Sequence, residues 1–203
     1  MPKLIIIAGC NGAGKSTFAT SLLPNNIASF DYDKLFLDNY NSLPDSELRE
    51  KFAKDKTTKE FELAIESALK FKTDFCYETN FDSNPLYWAE KFKSQGFETN
   101  LIFFSIKNQQ IARHRIQVRT EFKGHFVDNK TIDLKWKAGY KNMNRYYSFF
   151  DNVLIVDNSV NNSVYSNILQ IENGVVELMT NRLPEYFEIR FPGIFEMIRK
   201  INH

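Results

Sequence analysis

The stretch that decides the fold lies at the start of the chain and reads Leu4-Ile5-Ile6-Ile7-Ala8-Gly9-Cys10-Asn11-Gly12-Ala13-Gly14-Lys15-Ser16-Thr17. Its first five residues are continuously apolar and mostly β-branched, which is typical of a strand buried on both faces of a parallel sheet. The glycines that follow have the spacing G-x-x-x-x-G-K-S, and a helix is expected directly after them. This succession of strand, glycine loop and helix predicts a P-loop.

A P-loop binds the phosphates of a nucleotide. Glycines let successive backbone N–H groups face the phosphate oxygens, and the helix that follows presents its positive N-terminal end. Lys15 is expected to reach the β and γ phosphates, and the Ser16 hydroxyl is expected to ligate Mg²⁺. The motif therefore predicts ATP and Mg²⁺ as cofactors. The predicted cofactor-binding residues are Gly9, Asn11, Gly12, Ala13, Gly14, Lys15, Ser16 and Thr17.

The rest of the chain alternates short apolar runs with stretches of helical spacing. Further strands are predicted at residues 27–32, 75–78, 100–106 and 152–156, and helices at residues 46–72 and 108–148. The second helical stretch is broken by a glycine and polar residues around 123–129, so residues 108–148 are predicted to form a helical lid. The fold class is α/β, a P-loop NTPase three-layer sandwich with a mostly parallel sheet of about five strands.

The pattern changes after residue 156. Residues 167–171 and 175–179 flank Asn173-Gly174, and an Asn-Gly pair between two apolar runs favours a β-hairpin. A short helix is predicted from Pro184. Because the sequence shows no repeat or linker, we expect one P-loop domain over residues 1–203, with the hairpin and helix as an appendage at about 160–203.

Composition and charge narrow the classes of function. The 203 residues are 43% hydrophobic and 25% charged, as in folded globular proteins, and the formal net charge is only +1. This near-neutrality argues against nucleic acid as a partner and requires phosphate to be bound at a local site. Two cysteines, no targeting segment and no apolar run near the roughly 18 residues of a membrane helix favour a cytoplasmic protein without membrane contact.

Acidic residues follow two of the predicted strands. Asp31 and Asp33 close the strand at 27–32, where strand alternation would point both to one side. Asp33 is the candidate general base that takes the proton of an acceptor hydroxyl, although it could instead cap a helix. Glu78 closes the next strand as a candidate magnesium or substrate ligand, or a surface acid. Asp82 and Asp157 are weaker candidates, since both suit turns.

A basic segment runs from residue 111 to residue 123. Arg115 falls on an apolar stripe formed with Ile111, Val118 and Phe122, and Arg119 lies one turn further on. Like charges at this spacing repel each other, and phosphate would compensate them. Arg115 and Arg119 are therefore candidates for stabilising a transferring phosphoryl group, the alternative being a solvated basic face.

Taken together, residues 8–19, the Asp33 segment, Tyr77-Glu78-Thr79 and residues 115–127 resemble the zeta-toxin-like P-loop kinases over about residues 3–159. The resemblance implies ATP-dependent phosphorylation of a hydroxyl on a small-molecule acceptor, typically the sugar nucleotide UDP-N-acetylglucosamine. It implies catalytic roles for Asp33, Lys15, Arg115 and Arg119. The substrate-binding residues would be Glu78, Thr79 and His125, although a lone loop histidine such as His125 is more often structural or merely exposed.

The chain departs from the family pattern at two positions. Asp31 replaces a usual Asn, and Lys135 stands where Arg is usual; lysine cannot form a bidentate fork. The chain resembles stand-alone members of the family, and an antitoxin partner could exist but is not identified by the sequence. Two other hypotheses stay open: an ATP-binding regulatory switch acting through a protein partner, and a nucleic-acid end kinase.

Overall fold

The computed structural model describes residues 1–24, 27–121, 128–160 and 164–201. Its strands are β1 (Lys3–Ala8), β2 (Ser29–Phe30), β3 (Phe75–Thr79), β4 (Glu98–Ser105), β5 (Asn152–Asp157), β6 (Ser166–Glu172) and β7 (Val175–Leu178). Its α-helices are α1 (Lys15–Leu22), α2 (Tyr32–Ser42), α3 (Arg49–Phe71), α4 (Tyr87–Ser94), α5 (Gln109–Glu121), α6 (Asn129–Tyr146), α7 (Phe187–Arg190) and α8 (Pro192–Ile201).

The strands form one sheet in the order β2-β3-β1-β4-β5-β6-β7. The first five are parallel, and β6 and β7 are antiparallel, so the predicted α/β fold with a mostly parallel sheet is confirmed. The strand number was underestimated, because the C-terminal hairpin extends the sheet rather than lying apart from it. β6 pairs along β5, with Val153 opposite Ile171, and buries Ile168 and Leu169 there.

Helices cover both faces of the sheet. Phe103 and Phe104 are neighbours on β4 and therefore point to opposite faces. The Phe103 ring contacts Tyr140 of α6 at a centroid distance of 5.4 Å, whereas the Phe104 ring stacks on Phe18 of α1 at 6.4 Å. Both phenylalanines are 1% exposed, so the core runs through the sheet from one helical layer to the other. The predicted three-layer sandwich is confirmed.

Strand β2 is shorter than predicted, and this changes the position of Asp33. The run predicted at 27–32 forms a strand only at Ser29–Phe30. The reason is that the Asp31 carboxylate accepts a hydrogen bond from Lys34 N at 3.0 Å and caps α2. Asp33 consequently lies in the first turn of a helix, and the expectation that strand alternation aligns it with Asp31 was wrong.

The helices of the two predicted stretches are present. The stretch 46–72 contains α3, and α5 and α6 lie on either side of residues 122–127. Asp128 caps α6 by accepting from Thr131 N at 3.0 Å, which explains why the helix begins there. The single helix predicted from Pro184 is in fact two, α7 and α8. Within the described ranges, the helices are too short or too polar for any of them to cross a bilayer.

Candidate active site

The P-loop joins β1 to α1, and its second half adopts a conformation that favours glycine at residues 12 and 14. Gly12 has φ 78° and Gly14 has φ 98°, both in the left-handed region. A Cβ atom on Gly12 would lie 2.7 Å from Ala112 O, and one on Gly14 would lie 2.2 Å from Asn158 Nδ2. The loop is therefore packed against its neighbours so closely that a side chain at either position would displace them.

The Lys15 ammonium lies inside this loop. Its Nζ donates to Gly9 O at 2.8 Å, to Cys10 O at 3.3 Å and to Asn80 Oδ1 at 3.4 Å. Burial lowers the pKa of Lys15, and the negative charges of Asp33 and Glu78 act in the opposite direction. The lysine is thus held where a phosphate oxygen could replace the loop carbonyls as its partner.

Cys10 is also buried in the loop. Burial raises the pKa of its thiol to about 12, so the side chain is a neutral thiol at physiological pH. Thiolate is the nucleophilic form of cysteine, and Cys10 is therefore a packing residue in this environment.

The start of α1 is arranged to accept an anion. Its N-cap is Gly14, and among the described residues no side chain caps the helix and no acid occupies its first turn. The first N–H groups of a helix are unsatisfied unless a cap or a ligand accepts from them. Asn11, beside them, is 4% exposed, and its Oδ1 has no hydrogen-bond partner within the described part of the chain. This arrangement fits the phosphates of a nucleotide.

Glu78 and Ser16 meet at the edge of the loop. Ala8 pairs with Thr79 in the parallel register of β1 and β3, so both strands end side by side. The Ser16 hydroxyl donates to Glu78 Oε2 at 2.6 Å. Burial raises the pKa of Glu78, and the hydrogen bond from Ser16 opposes this shift. Thr79 uses its hydroxyl differently, accepting from Phe81 N at 3.0 Å to hold the turn after β3.

The hydroxyl of Ser16 and the carboxylate of Glu78 are oxygen donors of the kind that Mg²⁺ prefers. The described residues include no cluster of three or more His, Cys, Asp or Glu that could hold a metal ion by themselves. Magnesium in phosphotransfer sites is usually held by one or two protein oxygens together with substrate phosphates and water. The two donors present fit that pattern.

The basic residues of α5 are placed unequally. Arg115 donates to Gly12 O at 3.3 Å and so contacts the P-loop directly, whereas Arg113 forms an ion pair with Asp133 of α6 at 2.5 Å. Arg119 is exposed on the wall of the cavity described below. The predicted apolar stripe was partly wrong: Val118 is 41% exposed, and the buried face of α5 is formed by Ala112 and Ile116.

These groups line one cavity of about 1120 Å³. P-loop residues Asn11, Gly12, Gly14, Lys15, Ser16 and Thr17 form one wall, together with Glu78, Thr79 and Arg115. A second set of lining residues comes from α2, α3 and α4, and it includes Asp33, an exposed residue in the first turn of α2. Further lining residues of that set are Tyr32, Lys34, Lys54, Phe61, Tyr87 and Trp88. Arg119 and Lys135 complete the rim. His125 lies outside the described residues.

The turn after β3 contributes Asn80, which was not predicted from the sequence, and Asp82, which was only a weaker candidate. Asn80 and Asp82 line the cavity, and α6 holds this turn because Asn142 Nδ2 donates to Phe81 O at 2.9 Å and to Asp82 O at 2.6 Å. Gly139 allows the close approach, since a Cβ there would lie 2.9 Å from Asn80 O. Asn80 could have been predicted as a site residue, because it directly follows the candidates Glu78 and Thr79 in the sequence.

Comparison with known proteins places this geometry in a wider group. The sequence model of the Zeta toxin family matches residues 1–170. No curated protein sequence matches the chain at a significant level.

Several solved structures share the fold. The structure from the study of the PezAT chromosomal toxin-antitoxin system of Streptococcus pneumoniae has a TM-score of 0.65 and 16% identity, over 100% of this chain and 88% of that one. The native AvrRxo1-ORF1:-ORF2 complex has a TM-score of 0.67 and 12% identity, over 96% of this chain and 65% of that one. The Pnkp1/Rnl/Hen1 RNA repair complex has a TM-score of 0.55 and 22% identity, over 71% of this chain and 46% of that one. The chain thus spans less than two thirds of the last two, and at these identities the likeness concerns the fold.

Proposed function

This chain belongs to the Zeta toxin family, and from that premise we propose that it is an ATP-dependent kinase that phosphorylates a hydroxyl group of a small-molecule acceptor. The observation that carries the proposal is the arrangement of one cavity with two different walls. The P-loop residues together with Glu78 will be called the P-loop wall. The lining residues of α2, α3 and α4, which include the exposed Asp33 and several aromatic and basic side chains, will be called the acceptor wall.

The size of the cavity supports two ligands at once. Pockets for a single small ligand commonly measure about 300 to 1000 Å³. The cavity, at about 1120 Å³, is slightly larger than that range, and the proposal places a nucleotide and an acceptor side by side in it. A site that only binds and hydrolyses a nucleotide has no need of the second wall.

The residues of the first wall would hold the nucleotide. Gly12, Gly14 and the N-terminus of α1 supply backbone N–H groups for the phosphates, and Lys15 exchanges its loop carbonyls for β and γ phosphate oxygens. Ser16 and Glu78 would hold Mg²⁺, which when bound neutralises charge on the transferred phosphoryl group.

The transfer itself needs a base and stabilisation of negative charge. Asp33 accepts the proton of the acceptor hydroxyl, the hydroxyl oxygen bonds to the γ phosphorus, and the bond from that phosphorus to the β-γ bridging oxygen breaks to release ADP. Arg115 and Arg119 donate to the transferring phosphoryl group as the α5 and α6 lid closes over it. The proton thus ends on Asp33, the phosphoryl group on the acceptor oxygen, and ADP leaves.

For the acceptor we propose a sugar nucleotide such as UDP-N-acetylglucosamine. The aromatic residues Tyr87 and Trp88 offer faces on which a base can stack, and their rings lie 4.7 Å apart in an edge-to-face pair. Lys34 and Lys54 on the same wall offer positive charge to the diphosphate of such a molecule. Thr79 and His125 remain candidate contacts for the sugar.

The experiment is an acceptor screen. The purified chain is incubated with ATP, Mg²⁺ and a panel of sugar nucleotides, other hydroxyl-bearing metabolites and a 5′-hydroxyl oligonucleotide, and products are followed by mass. We expect a mass increase of one phosphoryl group on a sugar nucleotide, absent with Lys15→Ala and with Asp33→Asn. If ATP binds but no acceptor is modified, a regulatory ATP-binding switch replaces the kinase as the better account.

A further inference from the structure

The chain leaves β5 through a segment that contacts the P-loop. The side chain of Asn158 is 4% exposed and donates from Nδ2 to Ala13 O at 2.8 Å. The same nitrogen fills the space beside Gly14, where a Cβ would lie 2.2 Å away. Asn158 therefore fixes the second half of the phosphate-binding loop, from a position 145 residues away in the sequence.

The segment also contacts the arginine that faces the P-loop. Arg115 donates to Val160 O at 3.2 Å and to Gly12 O at 3.3 Å. Asp157, Asn158, Ser159 and Val160 will be called the post-β5 segment. These four residues connect the loop that would bind the phosphates with the arginine that would stabilise the transferred one.

A tyrosine from the C-terminal part of the chain anchors this segment. Tyr186 is 8% exposed, and its hydroxyl donates to Asp157 Oδ1 at 2.7 Å and lies 2.8 Å from Ser105 Oγ. The same carboxylate oxygen accepts from Ser159 N at 3.0 Å and from the Ser159 hydroxyl. Asp157 is thus the common acceptor of Tyr186 and of its own turn, and hydrogen bonds to a carboxylate are stronger than neutral ones.

Tyr186 lies outside residues 1–170, the part of the chain matched by the family model. It is held in place by a buried aromatic group next to it: Phe187 and Phe191 are both 0% exposed, and their rings lie 4.9 Å apart. The Phe191 ring in turn packs on Phe103 of β4 at 5.9 Å. The C-terminal residues are therefore anchored in the core and can hold the tyrosine rigidly.

We propose that Tyr186 is a positioning residue for the nucleotide site, acting through Asp157 and Asn158 to hold the P-loop in its phosphate-binding conformation. Its significance for catalysis rests on the proposed kinase function, whereas its effect on the loop can be measured without nucleotide. The C-terminal part of the chain is thereby a functional component of the kinase site.

The test is Tyr186→Phe, which keeps the ring in the core and removes only the hydroxyl. Hydrogen exchange of the amides of residues 9–18 is measured without nucleotide, because Gly9, Ala13 and Phe18 have hydrogen-bonded amides there. We expect exchange in this stretch to accelerate by roughly three- to tenfold. Unchanged exchange would overturn the proposal.

Tyr147→Phe is the matched control. The Tyr147 hydroxyl contacts Met197 Sδ at 3.0 Å, so this variant also removes a tyrosine hydroxyl from a contact with the C-terminal helices, but Tyr147 precedes β5 whereas the post-β5 segment follows its end. It is expected to leave exchange at residues 9–18 at the wild-type rate. Equal acceleration in both variants would reduce Tyr186 to a general packing residue and would also overturn the proposal.

Two further measurements keep the test decisive. If Tyr186→Phe does not fold, judged by circular dichroism, Asn158→Ala is used instead. It removes the hydrogen bond from the post-β5 segment to Ala13 O and must accelerate exchange at residues 9–18. For chains that fold, the dissociation constant of ATP should rise by about three- to tenfold in Tyr186→Phe while kcat changes less. A wild type that does not bind ATP would refute the kinase function, while the exchange rates would still decide the role of Tyr186.

Discussion

The two walls of the cavity differ in how their polar groups are satisfied. On the P-loop wall, Lys15 donates to loop carbonyls and Ser16 donates to Glu78, so these two side chains, which would meet the nucleotide and its magnesium, already have fixed partners. On the acceptor wall, Asp33 is an exposed carboxylate in the first turn of α2, and Tyr87 is 54% exposed. The first wall is preorganised, and the second is open to solvent.

This difference suggests how the two ligands are recognised. A preorganised wall spends little binding energy on ordering itself and suits an invariant ligand such as a triphosphate. An open wall with a few large aromatic side chains suits an acceptor that is recognised by stacking. We therefore expect the nucleotide to be recognised by the fixed P-loop and the acceptor by a few exposed side chains.

The largest expected effect is the loss of the P-loop lysine. Lys15→Ala removes the only ammonium inside the loop among the described residues, and we expect transfer to fall by about 1000-fold, with ATP binding lost at millimolar nucleotide. Isothermal titration and the acceptor assay measure both. Lys34→Ala, an exposed lysine on the acceptor wall, is the control and should retain ATP binding. Equal losses in both variants would abolish the distinction between the walls.

The second effect tests the arginine that bridges to the P-loop. Arg115→Lys keeps the charge but loses the fork that contacts Gly12 O and Val160 O, and we expect kcat to fall by about 100-fold. Arg113→Lys on the same helix is the matched control, because Arg113 pairs with Asp133 and does not line the cavity. A larger loss of kcat in the Arg113 variant would mean that Arg113, and not Arg115, is the arginine of α5 that stabilises the transferred phosphoryl group.

The third effect concerns the acceptor wall alone. Tyr87→Ala removes an exposed aromatic face, and we expect the KM of the acceptor to rise by about tenfold while the ATP dissociation constant stays unchanged. Phe71→Ala, at the end of α3 and also exposed, should alter neither constant. An increase in the ATP dissociation constant instead would mean that the aromatic residues contact the nucleotide.

The smallest effects are expected from Glu78→Gln, which should stabilise the nucleotide-free protein but weaken its binding of ATP and Mg²⁺. Burial raises the pKa of Glu78 above its value in the unfolded chain, so the ionised carboxylate reduces stability at pH above the folded pKa, and this cost disappears below the unfolded value. Glu78→Gln should therefore stabilise the nucleotide-free protein at neutral pH by about 0.5 kcal/mol, a figure that allows for partial solvent exposure.

The same variant should weaken binding of ATP in the presence of Mg²⁺, because a neutral amide is a poorer magnesium ligand than a carboxylate. Thermal unfolding between pH 4 and pH 8 without nucleotide, compared with ATP titrations at neutral pH, measures the two signs. A loss of stability at neutral pH, or unchanged Mg²⁺-dependent affinity, would contradict the placement of Glu78 at the metal.

The sequence predicted the P-loop wall better than the acceptor wall. Residues 4–17 form a local motif, and the parallel pairing of β1 with β3 follows from the alternation of strands and helices, so the proximity of Ser16 and Glu78 could be anticipated. Asp33 was identified as a candidate but was placed on a strand. It lies in a helix instead, because the capping hydrogen bond of Asp31 outweighs the β propensity of the run before it.

Other features depend on contacts that no local pattern records. Asn158 meets Ala13 only once the parallel strands β1, β4 and β5 lie side by side, and Tyr186 meets Asp157 only because Phe187 and Phe191 pack in the core. The hairpin was recognised from Asn173-Gly174, yet its pairing with β5 depends on an apolar strand edge that the hairpin covers. Tyr87 and Trp88 carried no signal, since an aromatic pair at a helix start is common in cores.

A comparison of ATP binding and phosphoryl transfer in Asp33→Asn tests the role of Asp33 most directly. We expect an ATP dissociation constant within about twofold of wild type, because Asp33 belongs to α2 and not to the P-loop, and a loss of transfer of about 100- to 10,000-fold, because the acceptor keeps its proton. Transfer at the wild-type rate would contradict the assignment of Asp33 as the base. Loss of ATP binding together with transfer would contradict the division of the cavity into two walls.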